Sequence, residues 1–559
     1  QNTIIMDRKE LINHVAPAIL QFENRPFNHK QLAAVAGITK AGDKAKLPHI
    51  LAYFVQQGII QEVERGRYKA ITLNKYVTGT IDRNNNGKTH LIPDDGGEKI
   101  FIADRNLGHA MKNDKVRVLV YAKRSGRQTE GEVVEIIERN RTTFVGVMNI
   151  VGGVSFVVVD NRLLSNDIYI PHNKLNGAKD GQKVFVKMTD WPEKAKNPFG
   201  EVIDVLGEVG ENNTEMHAIL AEYGLPYSYP EELTALAEQI DVTISDDEIK
   251  RREDCRSTTT FTIDPVDAKD FDDALSYKPL DNGNVEIGVH IADVSHYVTP
   301  HSPIDKEAFD RATSVYLVDR TIPMLPEKLC NMVCSLRPNE DKLTYSVLFE
   351  MNDKAEVVNY RITKAIICSN RRFTYEEAQT IIETQQGEFC QELLAMNALA
   401  VQLRENRFKS GAISFERSEV RFNIDEQGKP LSVYFKEAKE ANKLVEEFML
   451  LANRTVAEHI GKVKKGDKAK TFVYRIHDEP NQEKLANFSQ FISRFGYKLK
   501  TSGKKNEISS AINRLLDNVA GKREQNLVET LAVRSMAKAI YTTDNIGHYG
   551  LAFDYYTHF

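Results

Sequence analysis

A stretch of the sequence recurs at a fixed offset, and this repeat restricts the fold more than any other feature. "KIFIADRNLGHAMKNDKVRVLV" aligns with "DIYIPHNKLNGAKDGQKVFVKM", so that Phe101 matches Tyr169 at an offset of 68 residues. Each copy alternates apolar and polar residues between Gly and Asn turns, as short β-strands do. The repeat therefore predicts two small tandem barrels of the OB or cold-shock type, at residues 71–140 and 141–208.

The aromatic residues of the predicted barrels are candidates for nucleic-acid binding. Such barrels bind single strands by stacking bases on aromatic rings, while Lys and Arg side chains follow the phosphates. The first copy has "NNGKTHLI" where a cold-shock barrel has alternating glycines and aromatic residues. Phe101, Phe156 and Tyr169 are candidate stacking platforms. A barrel core also needs aromatic residues, so the sequence leaves both interpretations open for each ring.

The segments on either side of the barrels have different patterns. Within residues 1–70, "HKQLAAVAGI" and "LPHILAYFVQQGII" have helical apolar spacing, and "IQEVERGRYKA" predicts a hairpin. This order resembles a winged helix-turn-helix, which either contacts nucleic acid or packs on its neighbour as a cap. Residues 209–559 mix longer helices with strands and predict one large domain. The fold class expected is therefore multidomain α+β.

Composition excludes several classes of protein. A chain of 559 residues is too long for one core. Because the net charge is -5, a polyanion partner would bind through local basic patches and not through overall attraction. The five cysteines contain no CxxC pair, which favours reduced thiols in a cytoplasmic protein over a disulfide framework. Apolar stretches are too short to span a membrane, and the start is charged too early for a secretory signal.

The segment "DPVDAKDFDDAL", residues 264–275, gathers five aspartates around Phe271. The flanking segments alternate as strands do, so the aspartates lie on a loop between two strands. Like charges at this spacing repel unless they are protonated or share a cation. A calcium EF-hand loop needs Gly and Glu where this chain has Lys269 and Leu275. The residues favour a magnesium site for phosphate chemistry, and a structural polar loop remains the alternative.

The same segment, in the form "TIDPVDAKDFDDAL", resembles the signature of the ribonuclease II/R family of 3′-to-5′ exoribonucleases. "HIADVSHYV", "SVYLVDRTIPMLPEKLCNMVCSL", "GAISFE", "ANKLVEEFMLLAN" and "RIHDEP" follow in family order, so the resemblance covers essentially the whole chain. The predicted head at 1–70 favours the R branch. The resemblance implies a winged-helix-like head, two OB or cold-shock barrels and a large mixed α/β RNB catalytic domain at 209–559.

The resemblance also implies roles for the aspartates. Asp264, Asp270 and Asp273 would hold Mg²⁺, or Mn²⁺, since the same ligands suit both ions. Asp272 would be the carboxylate most directly required for catalysis, whereas Asp267 matches the motif without an assigned role. The implied reaction is metal-assisted hydrolysis that releases nucleoside 5′-monophosphates.

Three further positions match family residues that bind RNA. Tyr316 and Phe415 would clamp stacked bases at the end of the strand, and Glu446 would contact the terminal ribose. The implied partner is single-stranded RNA with a free 3′ end. The resemblance implies that the protein acts as a monomer, without an obligate protein partner, in RNA turnover and quality control.

The last residues depart from the family pattern. The family continues from "YYTHF" into an arginine motif and a terminal RNA-binding OB barrel, so we expect a chain truncated at its C-terminus. An alternative is a non-catalytic RNA-binding or regulatory protein on the same scaffold. Such a protein would be expected to lose one or more of the metal-site aspartates, and all of them are present here.

Overall fold

A computed structural model describes most of the chain. The described residues are 7–22, 25–70, 76–84, 87–121, 128–160, 164, 166–414, 419–425, 428–463, 468 and 470–559. They form two compact units, Gln1–Tyr227 and Ser228–Phe559. Within the described ranges, no helix is long and apolar enough to cross a membrane.

The first unit begins with a small helical head. Its elements are α1 (Arg8–Leu20), α2 (His29–Val35), α3 (Ala41–Gln56) and an antiparallel hairpin of β1 (Ile60–Glu64) and β2 (Arg67–Ala70). Helix α2 begins where it does because the Asn28 side chain accepts hydrogen bonds from two backbone N–H groups of the first turn, and Gln31 completes the capping box. The winged-helix-like order expected from the sequence is present, with one additional helix at its start.

Two closed five-stranded barrels follow, as the repeat predicts. The strands of the first are β3 (Tyr76–Arg83), β4 (Thr89–Pro93), β5 (Ile100–Ile102), β6 (Lys115–Val120) and β7 (Glu130–Glu138). Those of the second are β8 (Thr143–Val151), β9 (Val154–Val159), β10 (Ile168–Ile170), β11 (Gln182–Asp190) and β12 (Phe199–Glu208), and α4 (Asn212–Glu222) ends the unit. Each barrel closes through one parallel pair, between β5 and β7 and between β10 and β12.

The three candidate stacking rings lie outside the barrel cores. In β5 and β10 the residues before and after Phe101 and Tyr169 are buried isoleucines, so both rings point away from the core and stay half-buried. The Tyr169 ring centroid lies 5.7 Å from that of Phe156 and 5.3 Å from that of Phe199. The second barrel therefore presents three adjacent rings on its outer surface.

The second unit contains a seven-stranded mixed sheet and separate strand pairs. In chain order its strands are β13 (Glu253–Asp254), β14 (Thr259–Asp264), β15 (Asp273–Pro279), β16 (Val285–Ala292), β17 (Val315–Tyr316), β18 (Thr321–Ile322), β19 (Asp341–Met351), β20 (Val357–Cys368), β21 (Arg371–Thr374), β22 (Glu419–Ile424), β23 (Pro430–Lys436), β24 (Tyr474–Ile476) and β25 (Ile540–Thr542). The strand order in the large sheet is β13-β20-β19-β16-β15-β14-β21. In separate antiparallel pairs, β17 pairs with β18, β22 with β23 and β24 with β25.

Helices cover this sheet and extend the unit. They are α5 (Glu231–Glu238), α6 (Asp246–Arg251), α7 (Val294–Tyr297), α8 (Pro303–Arg311), α9 (Tyr375–Thr384), α10 (Cys390–Lys409), α11 (Glu440–Gly461), α12 (Gln482–Ser493), α13 (Lys505–Val519) and α14 (Gln525–Ser535). The main apolar core contains Phe261, Phe373 and Phe448, all fully buried between the sheet and α9, α10 and α11. The predicted domain boundaries at residues 70, 140 and 208 stay predictions.

Candidate active site

The acidic loop connects two neighbouring strands of the large sheet. Strand β14 ends at Asp264 and β15 begins at Asp273, so the aspartates lie where the sequence places them, between strands. The Ala292 N–H at the end of β16 donates a hydrogen bond to the Asp272 carbonyl at 3.0 Å. Both ends of the loop are therefore fixed by the sheet, which is a rigid support for a site.

Phe271 and its backbone fix the middle of the loop. The Phe271 N–H donates to Ser335 Oγ at 3.0 Å, and its carbonyl accepts from the Leu336 N–H at 2.8 Å. The Ser335 hydroxyl donates in turn to the Lys269 carbonyl at 3.1 Å. The half-buried Phe271 ring packs against an apolar cluster that includes Leu329 and Leu336. The packing of this ring explains why a hydrophobic residue stands among five acids. The ring anchors the loop, and the neighbouring carboxylates project from the loop.

Asp264 is buried, with 7% of its surface exposed. It accepts a hydrogen bond from Thr262 Oγ1 at 2.6 Å. Its pKa is raised to about 6, chiefly by burial and also by the negative charges of Asp270 and Asp272, whereas the Thr262 hydrogen bond and Arg372 act in the opposite direction. These mutual effects show that the carboxylates lie close enough to repel one another.

Asp272 and Asp273 are perturbed in the same direction. Burial and the charge of Asp264 raise the pKa of Asp273 to about 6. Desolvation is the largest cause that raises the pKa of Asp272 to about 6, and the charges of Asp270 and Asp273 contribute after it. Asp272 is the more exposed of the two residues, so solvent screens these charges more strongly there. Among the described residues, none of these carboxylates forms an ion pair within 4.0 Å. The negative charge of the loop is therefore largely uncompensated by the protein.

The loop offers carboxylate oxygens, which are the ligands that Mg²⁺ and Mn²⁺ prefer. In the described part of the chain, no three His, Cys, Asp or Glu side chains already have the spacing that encloses a metal ion. Mg²⁺ is usually held by one or two carboxylates and keeps waters or substrate phosphates in its remaining positions. The uncompensated carboxylates therefore fit a cation that is bound through few protein ligands.

The residues predicted to bind RNA lie in different parts of the second unit. Tyr316, in β17, is 68% exposed, and its pKa is raised by desolvation and by the charges of Asp270 and Asp272, so its phenol lies close to the acidic loop. Glu446 is exposed on α11, and its Oε1 lies 3.3 Å from Arg407 Nη2. The structure thus brings Tyr316 to the aspartates. Phe415 lies outside the described residues.

Two side chains beside the loop were not predicted from the sequence. Arg372 and Tyr375 lie about a hundred residues after the loop, and the parallel pairing of β21 with β14 places them next to it. Burial raises the pKa of Tyr375 to about 12, with smaller contributions from Asp273 and Asp264. The sequence "RRFTY" has no motif that marks these residues, and only the strand pairing identifies them.

Three family patterns match the chain. The RNB domain matches residues 252–559, which is more than half of the protein, and therefore includes the acidic loop. The ribonuclease B OB domain matches residues 79–136, within the first barrel. The cold shock domain matches residues 156–230, which begin in the second barrel.

Curated relatives match over nearly the whole chain. The ribonuclease R of Thermotoga maritima is 36% identical over 553 residues, covering 97% of this chain and 76% of the relative. The ribonuclease R of Aquifex aeolicus is 32% identical over 560 residues, covering 99% of this chain and 77% of the relative. The chain therefore spans about three quarters of the length of either relative.

The fold is also similar to that of a solved structure. The ribonuclease R of Mycoplasma genitalium, in complex with ribose-methylated single-stranded RNA, superposes with a TM-score of 0.77 at 23% identity. The similarity covers 86% of this chain and 76% of that chain, and at this identity it shows the fold alone. The multidomain α+β class and the resemblance seen in the sequence are confirmed. The chain belongs to the RNB-domain family of hydrolytic exoribonucleases, in its ribonuclease R branch.

Proposed function

We propose that this exoribonuclease degrades single-stranded RNA from a free 3′ end, one nucleotide at a time, and releases nucleoside 5′-monophosphates. One observation carries the proposal: a single anchored loop brings together carboxylates whose charge the protein does not compensate, beside the exposed ring of Tyr316. A cluster with raised pKa values and no structural ion pair is typical of a reaction site.

The aspartates are proposed to divide the chemistry between them. Asp264, Asp270 and Asp273 would hold Mg²⁺ or Mn²⁺, and the bound ion would supply positive charge beside the scissile phosphate. Asp272 is the most exposed of the four, so it is the one that reaches water and substrate most directly. With a pKa of about 6 it is mainly ionised at neutral pH, and its carboxylate can orient a water molecule and accept its proton.

RNA is proposed to reach this loop through stacking and ribose contacts. The open face of Tyr316 can carry a base, and Phe415 would close the stack from the other side, which holds bases without reading their identity. The exposed carboxylate of Glu446 would accept a hydrogen bond from the terminal ribose. Recognition of the 2′-hydroxyl would then favour RNA over DNA.

We also propose the domain division at residues 70, 140 and 208, with the three outer rings of the second barrel as a base-stacking surface. The five cysteines are free thiols, which supports a cytoplasmic site of action, and we propose that the protein works as a monomer in RNA turnover. The alternative of a non-catalytic RNA-binding protein is less well supported, because all the aspartates of the acidic loop are present and the carboxylates raise one another's pKa.

The test is a degradation assay with a 5′-labelled single-stranded RNA and the equivalent DNA, with Mg²⁺ and with EDTA. We expect metal-dependent shortening of RNA from its 3′ end and nucleoside 5′-monophosphates in the product analysis. Asp272→Asn should abolish shortening, whereas Asp281→Asn, the same change on the exposed turn beyond the other end of β15, should not. An Asp272→Asn protein that shortens RNA at the wild-type rate would exclude the proposed mechanism.

A further inference from the structure

Arg372 reaches the acidic loop from the neighbouring strand. It lies in β21 opposite Thr262 of β14, and its Nη2 donates a hydrogen bond to the carbonyl of Pro265, the residue that follows Asp264. The same carbonyl accepts from the Ala268 N–H at 3.1 Å. The guanidinium therefore supports the first turn of the loop from outside.

The same guanidinium also contacts the middle of the loop. Its carbon lies 5.4 Å from the centroid of the Phe271 ring, within the range of a cation–π contact. Phe271 is held on its backbone side by Ser335 and Leu336, so the ring is fixed between Arg372 and the apolar cluster. One side chain thus connects the residue after Asp264 with the residue before Asp272.

Arg372 differs from the arginine next to it. Arg371 points to the other face of the strand, as successive residues do, and pairs with Glu388 and, at 3.6 Å, with Glu377. Arg372 forms no ion pair within 4.0 Å with any carboxylate of the described residues, and its Nε is buried without a hydrogen-bond partner. Its polar and cation–π contacts in the structure are with the acidic loop.

We propose that Arg372 is a positioning residue that holds loop 264–273 in its observed conformation before metal or RNA binds. Repulsion among the carboxylates favours a more open loop, and a contact at two points of the loop opposes that opening. Arginine suits this role because its planar fork donates to a carbonyl while its face stacks on a ring, which the point charge of lysine does not reproduce. The inference rests on the proposed function of this loop as a metal site.

The first experiment measures the loop without metal, RNA or turnover. Hydrogen–deuterium exchange in EDTA would compare wild type, Arg372→Met, Arg372→Lys and the control Arg371→Met. We expect the loop peptide with the Ala268 and Phe271 amides to exchange at least about 10-fold faster in both Arg372 variants and at the wild-type rate in the control. Unchanged exchange in the Arg372 variants would overturn the proposal.

The second experiment measures metal binding to the RNA-free protein, by titration with Mn²⁺ followed by its electron paramagnetic resonance signal. A lost positioning contact typically weakens metal binding by about 10–100-fold, and we expect this for both Arg372 variants. If Arg372 acted only as a nearby positive charge, Arg372→Met would bind the cation more tightly and Arg372→Lys would be unchanged. Either of these results would refute the positioning role.

The two experiments also separate this inference from the proposed function. Wild-type protein that binds no Mn²⁺ at the loop would contradict the proposed metal site, while the exchange data would still decide whether Arg372 holds the loop. In turnover assays at saturating Mg²⁺, a displaced loop should lower kcat at least about 10-fold and leave the KM for RNA within about 2-fold. Because Arg372→Lys keeps the charge and length of the side chain, it serves as the test if Arg372→Met fails to fold.

Discussion

Replacing Asp264 with Asn should stabilise the metal-free protein, although Asp264 is part of the site. The residue is 7% exposed, and burial together with Asp270 and Asp272 raises its pKa to about 6. In the unfolded chain the same carboxyl has a pKa of about 3.9. At neutral pH the folded protein therefore holds an ionised group in an environment that disfavours its charge.

The magnitude follows from this difference in pKa. Two pKa units correspond to about 3 kcal/mol, and this destabilisation is complete only above about pH 6. Below about pH 4 the carboxyl is protonated in both states and the destabilisation is absent. Asparagine is neutral at every pH and can still accept the hydrogen bond from Thr262. We therefore expect Asp264→Asn to raise the free energy of unfolding by about 1–3 kcal/mol at pH 7.5, with the gain declining towards pH 4.

The assay is urea unfolding in EDTA at several pH values. Unfolding is monitored by the hydrogen exchange of peptides from α11, which lies in the core of the second unit. Trp191 is the sole tryptophan and lies in the other unit, so its fluorescence does not report on this one. Asp281→Asn is the control, because Asp281 lies on an exposed turn. Millimolar Mg²⁺ should stabilise the wild type more than the variant. A variant that is less stable than wild type at pH 7.5 in EDTA would refute the reasoning.

Substitutions of Asp272, Tyr316 and Arg407 test other parts of the site and its support. Asp272→Asn should lower the exonuclease rate at least about 10³-fold in a single-turnover assay and leave RNA binding in EDTA unchanged. Tyr316→Ala should weaken binding of the RNA 3′ end by about 1–3 kcal/mol in a fluorescence titration, whereas Tyr316→Phe, which keeps the ring, should bind as wild type. Arg407→Met leaves the buried Glu447 carboxylate without its partner and should destabilise the second unit by about 3–5 kcal/mol. Arg404→Met, one turn earlier in α10, breaks the more exposed pair with Glu440 and should change urea unfolding by less than about 1 kcal/mol.

The parts of the structure that are encoded locally could be predicted from the sequence. Alternating burial at the start of β6 follows directly from its residues, because Lys115 and Arg117 are exposed and Val116 and Val118 are buried, and the repeat of such strands predicts a second barrel like the first. The strand ending at Asp264 and the strand starting near Asp273 were also predictable, because both alternate and a polar stretch separates them. In β5 and β10 all three residues are apolar or aromatic, so the sequence did not show that Phe101 and Tyr169 lie outside the barrel cores.

Features that depend on long-range pairing could not be predicted in the same way. Strand β21 is four residues long, and nothing in "RRFT" shows that it pairs in parallel with β14 and not with another strand. The positions of Arg372 and Tyr375 depend on that pairing. The raised pKa values likewise depend on how deeply the sheet and its helices bury the loop. The sequence therefore identifies the acids of the site but not the residues that hold them in place.

Two buried aspartates in the second unit show how the protein distinguishes a structural charge from a site. Burial acts to raise the pKa of Asp293 as well, but hydrogen bonds from Ser295, Arg252 and Lys364 outweigh it, so its pKa lies below the ordinary value. Arg252 Nη2 and Lys364 Nζ lie 2.7 and 3.1 Å from Asp293 Oδ2, and this carboxylate needs no further cation. Asp264 has no comparable partner, and the opposite direction of its shift reflects charge that remains uncompensated. A divalent cation binds most favourably where the protein does not compensate negative charge. In our proposal the acidic loop therefore binds a metal, whereas the Asp293 network does not.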